Sequence, residues 1–120
     1  MWSDAPNLDP DAIARLLRLG GPGFVTELLR LFEEQGTQRV AAISGAHAVG
    51  NVDEVRRAAH SLVSTAGNLG ARRLQGLATA LERAAATHDT ATLAALVPAL
   101  PSALDAAREA LTTCHTENRA

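Results

Sequence analysis

The residues that build strands are nearly missing from this chain. It has no Tyr and 2 Phe, and a count gives 2 Ile and 7 Val against 25 Ala and 17 Leu. Sheets favour β-branched and aromatic side chains, whereas Ala and Leu are strong helix formers. The sequence is therefore read as all-α. Its 120 residues are enough for one ordinary domain. The expected unit covers 1–120, with a core over about 8–113.

Helix signals divide the chain into five segments. Asp9 followed by Pro10 predicts a helix start, with Asp9 as the cap and Pro10 at the first helical position. That first helix carries Ile13, Leu16 and Leu17 and stops at Gly20–Gly21. A long second helix runs from Pro22 or Gly23 to Gly50. In the third, Val52, Val55, Ala59, Leu62 and Ala66 recur at spacings of three and four, the seam of a bundle helix. Gly67–Asn68–Leu69–Gly70 interrupts it. A fourth helix, about residues 71–87, has Leu74, Leu77 and Leu81 on its seam. The last holds Leu93 to Leu111, with Pro98 and Pro101 predicting a kink or a late start. The tail after Cys114 is expected to fray. Short loops between long helices favour antiparallel neighbours. The expectation is an antiparallel up-down four-helix bundle with a short additional N-terminal helix.

Composition excludes several chemistries. The net charge of −2 lacks the basic footprint of a nucleic-acid binder. All 11 basic residues are Arg, so no lysine amine is present for a Schiff base or a P-loop. Cys114 is alone and forms no internal disulfide. Met1–Pro6 shows no signal-peptide pattern, and no stretch approaches 18 consecutive apolar residues. These features predict a soluble, cytoplasmic protein with no membrane or nucleic-acid partner. A filled bundle without an apolar patch predicts a monomer. His47, His60, His88 and His115 show no metal-ligand spacing, so no metal site is expected. His47, His88 and His115 are read as solvated.

His60 stands apart by its place on the helix wheel. It lies about 120° from the seam of its helix, with Asp53, Arg56, Arg57, Ser64 and Gly67 within about 60° of it. An exposed imidazole is a nucleophile near neutral pH, and guanidinium groups favour phosphoryl oxygens. Small residues after it would let a partner's site close over the ring. The same pattern also describes a solvated histidine beside two solvated arginines.

The local sequence adds to this. Ala59, His60, Leu62, Ala66, Leu69 and Gly70, continued by Leu74, Leu77, Leu81 and Glu82, resemble the signature of histidine-containing phosphotransfer (HPt) domains. The likeness runs from about Leu8 to Leu111. It implies a phosphocarrier of multistep two-component phosphorelays, without kinase or hydrolase activity of its own. On that resemblance His60 would be the phosphoacceptor, taking a phosphoryl group from a phospho-Asp receiver and passing it to another receiver. Glu82 would orient the imidazole, or else be a solvated end of the seam. Arg56 and Arg57 would stabilise the phosphoryl group, with Arg72 and Arg73 at the start of the next helix as further candidates. Ser64, Gly67, Leu16, Leu17 and Phe24 would contribute to partner binding, although the last three also suit a core. No cofactor is implied on this chain; Mg²⁺ would sit on the receiver. The implied partners are a response-regulator receiver domain, a hybrid sensor histidine kinase, or both. Val63 departs from the pattern, which has a basic residue there. It supports an alternative: a docking module that regulates a receiver or kinase without efficient transfer.

Overall fold

The computed structural model describes residues 7–119, with the side chain of Arg119 left aside. Five α-helices follow in order: α1 (Ala12–Ala48), α2 (Val52–Gly67), α3 (Arg72–Ala86), α4 (Thr90–Leu96) and α5 (Leu100–Arg119). A 3₁₀ turn at Val97–Ala99 joins the last two. No strand occurs among the described residues. The long part of α1, with α2, α3 and α5, forms a helical bundle in which α2 packs on α1 and α3, and α5 packs on the same two helices. The Met1–Pro6 reading lies outside the described residues.

The first two expected helices form one continuous run with a kink. Gly21 has φ 85° and ψ 178° inside α1, a conformation open to glycine and strained for other residues. Pro22 follows and has no N–H to continue the hydrogen-bond ladder. The short N-terminal helix is thus the part of α1 before Gly21. Its start is later than expected, at Ala12 with Asp11 in the capping position. The Asp9 carboxylate instead accepts from the Asp11 N–H at 3.0 Å and from Arg15 at 2.9 Å. These bonds hold Asp9 in a turn ahead of the helix and draw its carboxyl below the usual range, the Arg15 hydrogen bond acting most strongly.

The seams are buried as patterned except at Val52, in the first turn of α2, which is half-buried. Val55, Ala59, Leu62 and Ala66 of α2 meet Leu74, Leu77 and Leu81 of α3, and all seven are fully buried. Burying a Leu or Val side chain contributes about 1.5–3 kcal/mol, so these two helices are held rigidly face to face. Asn51 caps α2 by accepting from Glu54 N–H at 3.2 Å. Asp89 caps α4 through Thr92 N–H at 3.1 Å. Gly36 is buried in α1 because a Cβ there would come within 2.8 Å of Leu104 in α5.

The chain's C-terminal part departs from expectation. By length and apolar composition, Thr90–Asn118 suffices to cross a membrane. Here it is split by Val97–Ala99 and turns Leu93, Val97, Leu100, Leu104, Ala107 and Leu111 into the core. The tail after Cys114 does not fray: α5 remains helical to Arg119. His115, expected in solvent, is 6% exposed, with Nε2 3.1 Å from Thr26 Oγ1 on α1. Thr26 Oγ1 in turn donates to the Pro22 carbonyl at 3.0 Å, so the histidine ties the end of α5 to the turn beside the kink. His47 is half-buried rather than solvated, and His88 is exposed in the loop before α4.

Candidate functional site

The seam of α2 faces inward, so its opposite face is left to solvent. Asp53, Arg56, Arg57, His60 and Ser64 are all exposed along it. The His60 side chain is 72% exposed. Its ring is nevertheless fixed on one side: Nδ1 lies 2.6 Å from Glu82 Oε2. Glu82 is near the end of α3, its side chain 29% exposed. The buried leucines set the antiparallel register of the two helices, and that register brings residue 82 beside residue 60. A bond this short between an imidazole and a carboxylate is charge-assisted and directional. The carboxylate accepts only, so Nδ1 donates in this bond, and in the neutral ring that leaves the lone pair on Nε2.

An open cavity of about 420 Å³ surrounds the ring, lined by Arg56, Arg57, His60, Ser61 and Glu82. Arg57 makes a long ion pair with Glu54, 3.4 Å, and both arginines are exposed. Two guanidinium groups therefore border the cavity on the N-terminal side of the imidazole. Arg72 does not reach it. Arg72 starts α3, ten residues from Glu82, or about 15 Å along a helix, and lies 3.6 Å from Asp9. Arg73 shares that end of the helix. Val63 is half-buried against the core, so no cation stands three residues after His60.

The other expected partner-binding residues are dispersed along one side. Leu16 and Phe24 line an apolar groove of about 450 Å³ between α1 and α2, with Leu28, Leu31, Gln35, Thr65 and Asn68. Leu17 is half-buried against the core and does not line that groove. Phe24 lies directly over Gly20, where a Cβ would collide with its ring. Ser64 is exposed on the ridge. Gly67 is half-buried, because the Gln75 amide lies against it. Sequence reading missed Gln75, Ser61, Thr65 and Asn68. The register that places Glu82 beside His60 also places Gln75 beside Gly67, so the pairing was available once α2 and α3 were read as antiparallel. No group of three or more metal-ligating side chains occurs among the described residues.

A sequence model of the Hpt domain matches residues 27–110, which is most of the chain. The chain belongs to the Hpt domain family. It is thereby one of the histidine-containing phosphotransfer domains of two-component phosphorelays, whose members interact with receiver domains and kinases. Its fold is similar to the crystal structure of histidine-containing phosphotransfer protein B (HptB) from Pseudomonas aeruginosa PAO1. The TM-score is 0.84 at 24% identity, covering 95% of this chain and 98% of that one. At that identity the likeness is one of fold. No curated relative matches the chain. The Hpt match covers 27–110, so Thr26 and His115, which pair with each other, lie just outside its two ends.

Proposed function

We propose that this Hpt protein accepts a phosphoryl group on His60 Nε2 from the phospho-Asp of a receiver domain and passes it to another receiver. The observation that carries this reading is the His60–Glu82 bond. An exposed ring alone would rotate freely; here one nitrogen is bound and the other is left as the nucleophile. In the transfer, the Nε2 lone pair attacks phosphorus and the P–O bond to the aspartate breaks, leaving a carboxylate. Arg56 and Arg57 supply positive charge on the phosphoryl side. The groove holding Leu16 and Phe24 continues the docking face across α1, so the receiver would cover the ridge and the groove together. Such a phosphocarrier has no kinase or hydrolase activity of its own. It would act as a cytoplasmic monomer, with Mg²⁺ held by the receiver.

The test is to mix the protein with pre-phosphorylated receiver domains and follow acid-labile label on this chain, with His60→Gln beside it. Label on the wild type alone supports the reading. Measurable binding to a receiver without label would favour the second reading, a docking module. Val63 favours that alternative, because it removes a cation from beside the imidazole.

A further inference from the structure

The groove between α1 and α2 runs toward a cation that the fold leaves without a counter-charge. Leu28, Leu31 and Gln35 line the groove from α1. Arg39 follows Gln35 by four residues and Leu28 by eleven, on the same face of that helix. The Asn51 N–H donates to the Ala46 carbonyl at 2.8 Å, which fixes where α2 turns back along α1. Arg39 is seven residues before Ala46, and Ala58 is seven after Asn51, so the two stand at one level of the bundle. Ala58 is buried and offers a methyl group only.

Arg39 is half-buried, and its Nε is shut from solvent with no hydrogen-bond partner. The acids that could pair with it are absent or engaged. No Asp or Glu occurs from Gln35 to Ala48. Glu34, on the outer face of α1, lies 3.0 Å from Arg30. Glu54 of α2 lies 3.4 Å from Arg57. A partly buried guanidinium without an acceptor is costly, and a carboxylate is the acceptor that suits it best. A partner covering the groove strips more water from Arg39, so it must bring that acceptor or lose affinity. The groove is also continuous with the phosphoryl site. Thr65, which lines the groove, donates to the Ser61 carbonyl at 3.0 Å, and Ser61 lines the His60 cavity.

We propose, resting on the reading of this groove as part of the receiver-docking face, that Arg39 selects among receivers. The segment that fills the groove is an amphipathic helix, with its apolar face over Phe24, Leu28 and Leu31 and an Asp or Glu on Arg39. The spacing sets the pattern: Leu28 and Arg39 are about 16 Å apart along α1, so the acid stands about three turns from the apolar anchor. A receiver with a neutral or basic residue there docks poorly, although its phospho-Asp chemistry is the same. Arg39 does not line the His60 cavity, so it discriminates partners without touching the phosphoryl group.

The receiver domains of the transfer test are titrated by calorimetry against wild type and three variants. Arg39→Lys keeps the charge, Arg39→Met keeps the apolar stem, and Arg39→Glu reverses the charge. A receiver that binds wild type should lose about tenfold in affinity to Arg39→Met, more to Arg39→Glu, and less than about threefold to Arg39→Lys. Changing the acid of its docking helix to Arg should restore binding to Arg39→Glu, which a merely structural role for Arg39 would not produce. All variants should load His60 at the wild-type rate from phosphoramidate, a small phosphoryl donor that needs no receiver, which separates loss of docking from loss of fold. Equal affinity of wild type and Arg39→Met overturns this inference and leaves the phosphoacceptor reading standing. Binding by none of the receivers, with His60 still loading from phosphoramidate, overturns the docking reading and this inference together.

Discussion

Replacing His115 by alanine tests whether α5 is anchored to its end. The imidazole is 6% exposed and meets Thr26 Oγ1 at 3.1 Å. Losing that hydrogen bond costs about 1 kcal/mol. Removing the buried ring atoms costs roughly a further 1–2 kcal/mol in packing. Thr26 retains its bond to the Pro22 carbonyl, so no buried hydroxyl is stranded and the total stays at about 2–3 kcal/mol. For a chain of this size that lowers Tm by about 10 °C. Urea unfolding followed by circular dichroism reads the change directly, with an unaltered slope if the denatured state is unchanged. Thr26→Val, which keeps the shape but takes the hydroxyl from the buried His115 Nε2, should cost about 1–3 kcal/mol. A loss below about 0.5 kcal/mol for His115→Ala would refute the reasoning and return the tail to the frayed state its sequence suggests.

Three further outcomes are expected. Asp9 is drawn below its ordinary value of 3.8, chiefly by Arg15 and the Asp11 N–H. Its stabilisation is thus fully present above that value and lost as pH falls through the lower folded one; the stability gap between wild type and Asp9→Asn should close on acidification below about pH 4, as read by pH-dependent unfolding. Gly20→Ala should displace Phe24 from over the helix and weaken receiver binding by about tenfold while His60 still loads from phosphoramidate, as titration calorimetry and labelling would show; unchanged affinity would remove the groove from the docking face. Arg56→Ala with Arg57→Ala should slow loading of His60 by about tenfold or more with unchanged Tm, since both are exposed; equal rates would deny them any role on the phosphoryl group.

Much of this fold was legible because its seams are simple. Val55, Ala59, Leu62 and Ala66 in α2, and Leu74, Leu77 and Leu81 in α3, read as one face from spacing alone, and all are buried. The outward position of His60 followed by subtraction. The ends were less legible. Asp9–Pro10 has the local form of a helix start, yet Asp9 is engaged locally by Asp11 and Arg15 and across the fold by Arg72 and the Gly70 carbonyl, and the helix starts at Ala12. The tail was misread because Thr112–Asn118 is polar and mostly exposed; its buried member, His115, pairs with Thr26, 89 positions away, which no local pattern carries. Arg72 and Arg73 resembled site residues by sequence proximity, and only the antiparallel register shows them at the wrong end of α3. The same register reveals Gln75 against Gly67.

The most direct test of the site is to determine which ring nitrogen of His60 carries the phosphoryl group. Protein loaded from a receiver domain and kept alkaline can be examined by ³¹P NMR with ¹⁵N-labelled histidine. With Nδ1 held by Glu82 at 2.6 Å, the account predicts a single phosphorylated species, bonded through Nε2. A phosphoryl group on Nδ1, or on any residue other than His60, would contradict it.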